Sequence, residues 1–292
     1  MNETTVSAEL DFAASFRADR RSTEELLAFA LAQDADPDKD GFWEPIRALQ
    51  HRLPQVLESI IALSTSRDEK SRDIAATLLG QCCIPAKFAP DHCTDILLSM
   101  LAQENADKVL PSIIFALGQL KDPRLVGPVA DLRAHTDARV RLSVVSALGC
   151  HEDKRAIEAL IVCSGDQDRD VRNWATFGLG SLIETDTPAI RGALFARLGE
   201  ADDEIRGEAI VGLLRRGDVR AAGAMLGEIQ EVDTNILRDW VLMLEAAEEV
   251  VRLAKASGAA VWRPVLERLA ACRIGNQDEI QAALNLNAPP QK

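Results

Sequence analysis

Asp36, Asp38 and Asp40, followed by Gly41, occupy positions 1, 3, 5 and 6 of a calcium-loop pattern, and Glu44 falls at position 9. Such a loop needs a bidentate glutamate about twelve residues from its start to complete the oxygen cage. Arg47 stands there instead, and Pro45 interrupts the exit. The run therefore reads as an acidic loop capping the helix that starts near Phe42. Cys82, Cys83, His92 and Cys93 bring zinc-type ligands close together in sequence. Adjacent cysteines serve one tetrahedral ion poorly, and C-x-x-C spacing is absent. Cys82 and Cys83 are expected to finish a helix as small buried hydrophobes. No metal and no cofactor is expected.

Nucleophilic and phosphate chemistry find no better footing. The sequence contains no G-x-x-x-x-G-K, no G-x-S-x-G and no H-E-x-x-H. Of the four histidines, His51, His92, His135 and His151, the last two fall in turns between helices. No catalytic residue is assigned, and the chain is expected not to be an enzyme.

Spacing of a different kind organises the chain. Arg72, Arg141, Arg172 and Arg206 recur, with Leu110 filling the same slot in one copy; the slots lie 38, 31, 31 and 34 residues apart, and Arg238 follows 32 residues on. Four residues before the arginine stand Asp68, Asp137, Asp168 and Asp202. Eight residues after the slot stand Gly80, Gly118, Gly149 and Gly180, a place that Leu214 takes in the fifth copy. Between these segments lies a second set, such as PRLVGPVADLRAH and KRAIEALIVCSG, with apolar residues at i, i+3, i+4 and i+7. Each unit is thus two antiparallel helices of about a dozen residues. One hairpin cannot bury both of its apolar stripes, so the units must stack into an α-solenoid.

The motif D-x-x-V-R-x-x-A-x-x-x-L-G, with the openings Asp122-Pro123-Arg124 and Asp153-Lys154-Arg155, resembles HEAT-like repeats of the short bacterial type, also found in phycobilisome-lyase-like proteins. The resemblance covers roughly residues 53 to 246. It implies an all-α, right-handed HEAT-like superhelix whose second helices line the concave surface. HEAT-repeat di-iron hydroxylases need several His-Glu pairs, and only His151-Glu152 is present. HEAT-like DNA glycosylases use a basic groove, which this acidic chain does not offer.

On the second helices, with Arg172 as zero, Val171, Ala175, Gly178 and Leu179 are expected to face inward, offsets +1 and +5 to point away, and +2 to lie on a flank. The +5 row reads Thr77, Phe115, Ser146, Phe177 and Val211; the +2 row reads Ile74, Ser112, Ser143, Trp174, Glu208 and Trp240. Large aromatics on a concave wall are what protein interfaces use as anchors. Phe115, Trp174, Phe177, Glu208 and Trp240 are the candidate partner-binding residues. The alternative for Trp174 and Trp240 is packing between neighbouring second helices. The arginine row is expected to pair with the repeated aspartates in a ladder that ties the units together.

Composition bounds the rest. The 292 residues carry a net charge of −13, 47 % hydrophobic residues and only 4 % aromatics, with no tyrosine. That is enough apolar residue for a core, and one suited to helices. A phosphate-backbone binder would cluster Lys and Arg, so nucleic acid is not expected as a partner, whereas a protein with a basic face is. No apolar run approaches the roughly 20 residues a membrane helix needs, no secretory signal is visible, and the six cysteines read as reduced thiols of a cytoplasmic protein. The expected organisation is a loose N-terminal segment over 1–21, a solenoid over 22–273, and a short helix with a disordered tail over 274–292. Hairpin units are expected at about 54–81, 89–119, 122–149, 152–182, 187–215, 218–246 and 248–273. The expected function is binding another protein, as a scaffold or adaptor or as an inhibitor of the immunity-protein kind. The alternative is a phycobilin-lyase-like or other small-molecule-binding HEAT protein.

Overall fold

A computed structural model of the chain describes residues 19–33, 41, 43–81, 89–231, 237–257 and 260–286. Those residues form helices and connecting turns, with no strand among them. The chain divides into two compact units, Met1–Ala147 and Leu148–Lys292.

The first unit holds α1 (Thr23–Ala32), α2 (Trp43–Gln50), α3 (Leu53–Ser64), α4 (Glu69–Gly80), α5 (Pro90–Gln103), α6 (Leu110–Leu120), α7 (Val126–Ala130, entered by a 3-10 turn at Pro123–Leu125) and α8 (Ala138–Leu148, where the division falls). The second holds α9 (Lys154–Cys163), α10 (Arg169–Phe177, widening into a π turn at Gly178–Leu182), α11 (Pro188–Arg197), α12 (Asp203–Arg215), α13 (Ala221–Glu231), α14 (Leu237–Ser257), α15 (Arg263–Cys272) and α16 (Gln277–Leu286). Within each unit, helices of one hairpin pack on the corresponding helices of the next.

Starts are set by side-chain caps. Ser22 and Glu25 form a reciprocal capping box at α1. Asp68 accepts from the Ser71 N–H, Asp168 from those of Asp170 and Val171, and Asp202 from that of Ile205. Each such cap is worth about 1 kcal/mol, and each carboxylate also meets the positive helix end. Val171, Ala175 and Leu179 are fully buried, as the helical period demands.

The repeated glycines set the register between consecutive second helices. A Cβ built on Gly80 would lie 2.9 Å from Ala116, on Gly118 3.1 Å from the Ala147 side chain, and on Gly180 2.7 Å from the Glu208 carbonyl oxygen. Gly178 lies against Gly149, and Gly212 against Gly180. The glycine eight residues past one arginine slot thus meets a small residue six past the next: Ala116, Ala147, Gly178 and Gly212. Where the glycine becomes Leu214, the next +6 residue is Leu244, so both places change together.

Two departures from the periodic reading have local causes. The first helix of the 122–149 unit is only a 3-10 turn and the five residues of α7, because Gly127 and Pro128 are the poorest helix formers available. The unit break expected between 246 and 248 is absent. Instead, α14 runs unbroken for 21 residues, its LMLEAAEEVVRLAKAS stretch having no glycine, proline or capping residue before its end.

Candidate functional site

The arginine row has partners other than the expected ones. Arg72 donates to the carbonyls of Ser66 and Arg67, Arg141 to those of His135 and Thr136, Arg172 to those of Asp166 and Gln167, and Arg206 to that of Glu200. Each arginine therefore closes the turn just before its own helix. The acids met by Arg72, Arg172 and Arg206 include a glutamate further along the chain, and Arg206 also pairs with Asp203 at 2.6 Å. Arg72 grips Glu104 through two bonds of 2.7 and 2.9 Å, Arg206 pairs with Glu228, and Arg172 has Glu200 at 3.4 Å from Nε without a hydrogen bond. The aspartates are occupied as caps, so the expected Asp–Arg ladder is replaced by turn carbonyls plus Glu. Burial pushes the Glu104 carboxyl up, but Arg72 and two backbone N–H groups hold it below the usual range.

Aspartates do pair with arginines, two residues apart at helix starts: Asp122 with Arg124, Asp137 with Arg139, Asp218 with Arg220, each within 2.6 Å. Arg139 holds Asp137 down to about 2. The D-x-R spelling was the available sign of this arrangement. A further tie is Arg169, three residues before a repeat arginine. It reaches from α10 to Asp202 and Glu204 at the start of α12, at 2.8 Å each.

In the second unit, α10 displays its aromatics. Trp174 is 47 % exposed and Phe177 half-buried, and their rings meet edge to face with centroids 5.8 Å apart. Such pairing fixes both side chains while leaving apolar surface in water. Offset +1 does not point away from the core here. Asn173 is buried, donates from Nδ2 to Glu204 at 2.7 Å, and keeps a buried Oδ1 without a hydrogen bond. Glu208 is also buried and accepts from the Ser181 hydroxyl at 2.8 Å. Burial pushes its carboxyl above the usual range, and the charges of Glu245 and Glu204 add to this. Val211, expected on the exposed row, is fully buried, because α12 packs closely against α14. Arg215 bridges Glu245 and the Ser181 carbonyl. The face is thus an exposed aromatic pair beside α12, a helix carrying a buried, under-compensated carboxyl. Trp240 lies on α14, but its side chain is outside the described residues.

In the first unit, Phe115 is 53 % exposed and opens onto a cavity of about 730 Å³ between the second helices α4, α6 and α8. Trp43, Asp73 and Gln119 also line it. Ile74, expected on a flank, is buried, while Ser112 and Ser143 are half-buried. Cys93 is buried, whereas Cys82, Cys83 and the Asp36–Asp40 run lie outside the described residues. No helix among the described residues is long and apolar enough to cross a membrane.

Residues 94–180 match the family model for HEAT repeats. Over that stretch the chain is similar to HEAT-repeat proteins. Protein YibA of Escherichia coli strain K12 is 29 % identical over 211 residues, spanning 70 % of this chain and 73 % of YibA. The X-ray structure of E. coli YibA superposes with a TM-score of 0.71, covering 96 % of each chain at 23 % identity. An engineered protein of known crystal structure gives a TM-score of 0.60 over 98 % of this chain and 90 % of its own, at 15 % identity. These likenesses establish an all-α HEAT-like solenoid fold. They leave the chemistry of the HEAT surfaces to be argued from the residues on them.

Proposed function

We propose that this chain is a non-catalytic binding module that holds a partner protein on the face of the second helices α10 and α12 of its second unit, in the cytoplasm. The observation that carries this reading is the exposed Trp174–Phe177 pair. Two large aromatics locked edge to face on a helix lose little conformational freedom on binding and bury much apolar area, which is how interface anchors work. The acidic charge supports a partner with a basic face. Glu208 serves that preference as a buried negative charge on the neighbouring helix, and Trp240, on α14 of the same unit, is a further contact. The action is stoichiometric, as a scaffold or adaptor or as an inhibitor covering a basic toxin or nuclease, and the net charge favours the inhibitor.

The test is a pull-down from native cytoplasm with wild type and with a Trp174→Ala/Phe177→Ala variant, read by mass spectrometry beside a thermal melt. The expected outcome is one protein captured stoichiometrically by wild type and lost by the variant, with the melting temperature nearly unchanged. A large fall in melting temperature would make the pair core, and unchanged capture would remove it from the interface.

A further inference from the structure

The cavity beside Phe115 carries its own ligand chemistry, legible from which of its hydrogen-bonding groups are already engaged. The Thr77 hydroxyl donates to the Asp73 carbonyl, and the Ser143 hydroxyl to the Arg139 carbonyl, both at 3.0 Å. The Ser112 hydroxyl donates to the Asp73 carboxyl. Arg139 is held by Asp137 at 2.6 Å. Lys108 stands exposed at the rim, and the Lys70 charge acts on Asp68. What remains on the wall is acceptor capacity. The Asp73 carboxyl accepts from the Ser112 hydroxyl, and Gln119 Oε1 is buried and accepts no hydrogen bond. Burial pushes the Asp73 carboxyl above the usual carboxylate range, and a cation placed beside it would favour its charged form. Two aromatic rings, Trp43 and Phe115, complete the lining.

We propose that this cavity receives a guanidinium group, the side chain of an arginine on a protein segment laid across α4 and α6. A planar guanidinium donates in a fork to a carboxylate and stacks on aromatic faces, so one group uses the Asp73 carboxyl and the Phe115 and Trp43 rings together. Its remaining N–H groups are the donors that Gln119 Oε1 lacks. An anion would find Lys70, Lys108 and the Asp137-paired Arg139 at the lining, but beside the Asp73 carboxyl and the negative faces of two rings. A neutral apolar group would leave Gln119 Oε1 unpaired and bring no charge to the Asp73 carboxyl. The cavity lies in the first unit and the Trp174–Phe177 pair in the second. The guanidinium site relies on the binding-module reading only for the source of the arginine, not for the chemistry of the cavity.

The experiment titrates the full chain with the blocked tripeptide acetyl-Gly-Arg-Gly-amide, and with its lysine and citrulline counterparts, by saturation-transfer NMR. Citrulline keeps the shape and removes the charge. The expected result is binding of the arginine peptide, with at least about tenfold weaker binding of the other two. Phe115→Ala and Asp73→Asn should each weaken the arginine peptide by at least about tenfold, while Trp174→Ala leaves it unchanged. Phe115 is exposed, so its variant carries the test should Asp73→Asn fail to fold. Equal binding of citrulline or lysine, binding indifferent to Phe115→Ala, or no binding at about 10 mM peptide would overturn the proposal. Loss of this result with retention of the Trp174-dependent partner would remove the guanidinium site and leave the binding module standing.

Discussion

At Arg172 the side chain makes two hydrogen bonds to turn carbonyls, Asp166 at 2.9 Å and Gln167 at 3.1 Å. Removing it leaves half-buried carbonyls unsatisfied. Arg172→Ala should therefore destabilise the fold by about 1–3 kcal/mol in a urea titration. An unchanged midpoint would show that the turn holds without its arginine. Glu208 behaves oppositely. Its folded-state pKa lies above the ordinary glutamate value of 4.5, so the folded protein keeps this proton longer than the unfolded chain. Stability is then lost as pH rises from the unfolded value through the folded one, and stays lower at neutral pH. Glu208→Gln, which keeps a partner for Ser181, should raise the melting temperature at pH 7, with the gain vanishing once the pH falls below the unfolded value. The same variant should weaken partner binding, because a buried charge that costs stability is retained where function uses it. A melting temperature equal to wild type at both pH values would contradict the stability part.

Between elements, the contact of small residues decides how closely second helices approach. Gly180 has no room for a methyl group, whose nearest neighbour would be backbone, the Glu208 carbonyl oxygen at 2.7 Å. Gly180→Ala should cost roughly 1–3 kcal/mol, because α10 and α12 must separate to admit it. Gly192, inside α11, has nothing within 4 Å of the corresponding position. Gly192→Ala should therefore stabilise by roughly 0.5–1 kcal/mol, from helix propensity alone. The opposite signs of two identical substitutions, read from urea midpoints, test the packing register directly, and equal signs would refute it. The widened turn at Gly178–Leu182 belongs to the same contact. Arg216 reaches it from α12, donating to the carbonyls of Ile183 at 2.6 Å and Thr185 at 3.1 Å, and burial pulls its pKa below the ordinary value.

For the whole molecule, net charge makes the prediction. An excess of 13 negative charges attracts a basic partner over a range limited by the Debye length, about 8 Å at physiological salt. The association rate of the captured partner should fall steeply between roughly 50 and 500 mM salt, while the dissociation rate, governed by the buried aromatics, changes little. Stopped-flow measurement on the purified pair separates the two. A salt-independent association rate would mean that the partner does not approach through charge complementarity.

The amino-acid order by itself determined the all-α repeat architecture. An aspartate four residues before each arginine slot, an apolar row of helical period and a glycine eight residues on are local signals, each fixing a cap, a buried stripe or a close approach within one hairpin. It also pointed Phe115 away from the core, and left Trp174 between display and packing. Charge neutralisation was decided only by the tertiary structure. Arg72 takes Glu104 from the next hairpin, Glu208 and Val211 are covered by neighbouring helices, and Asp73 faces a cavity although offset +1 suggested solvent. The periodicity of one helix states which side is apolar. It does not state how far the next helix is rotated against it, and that rotation selects the partner of every flank residue.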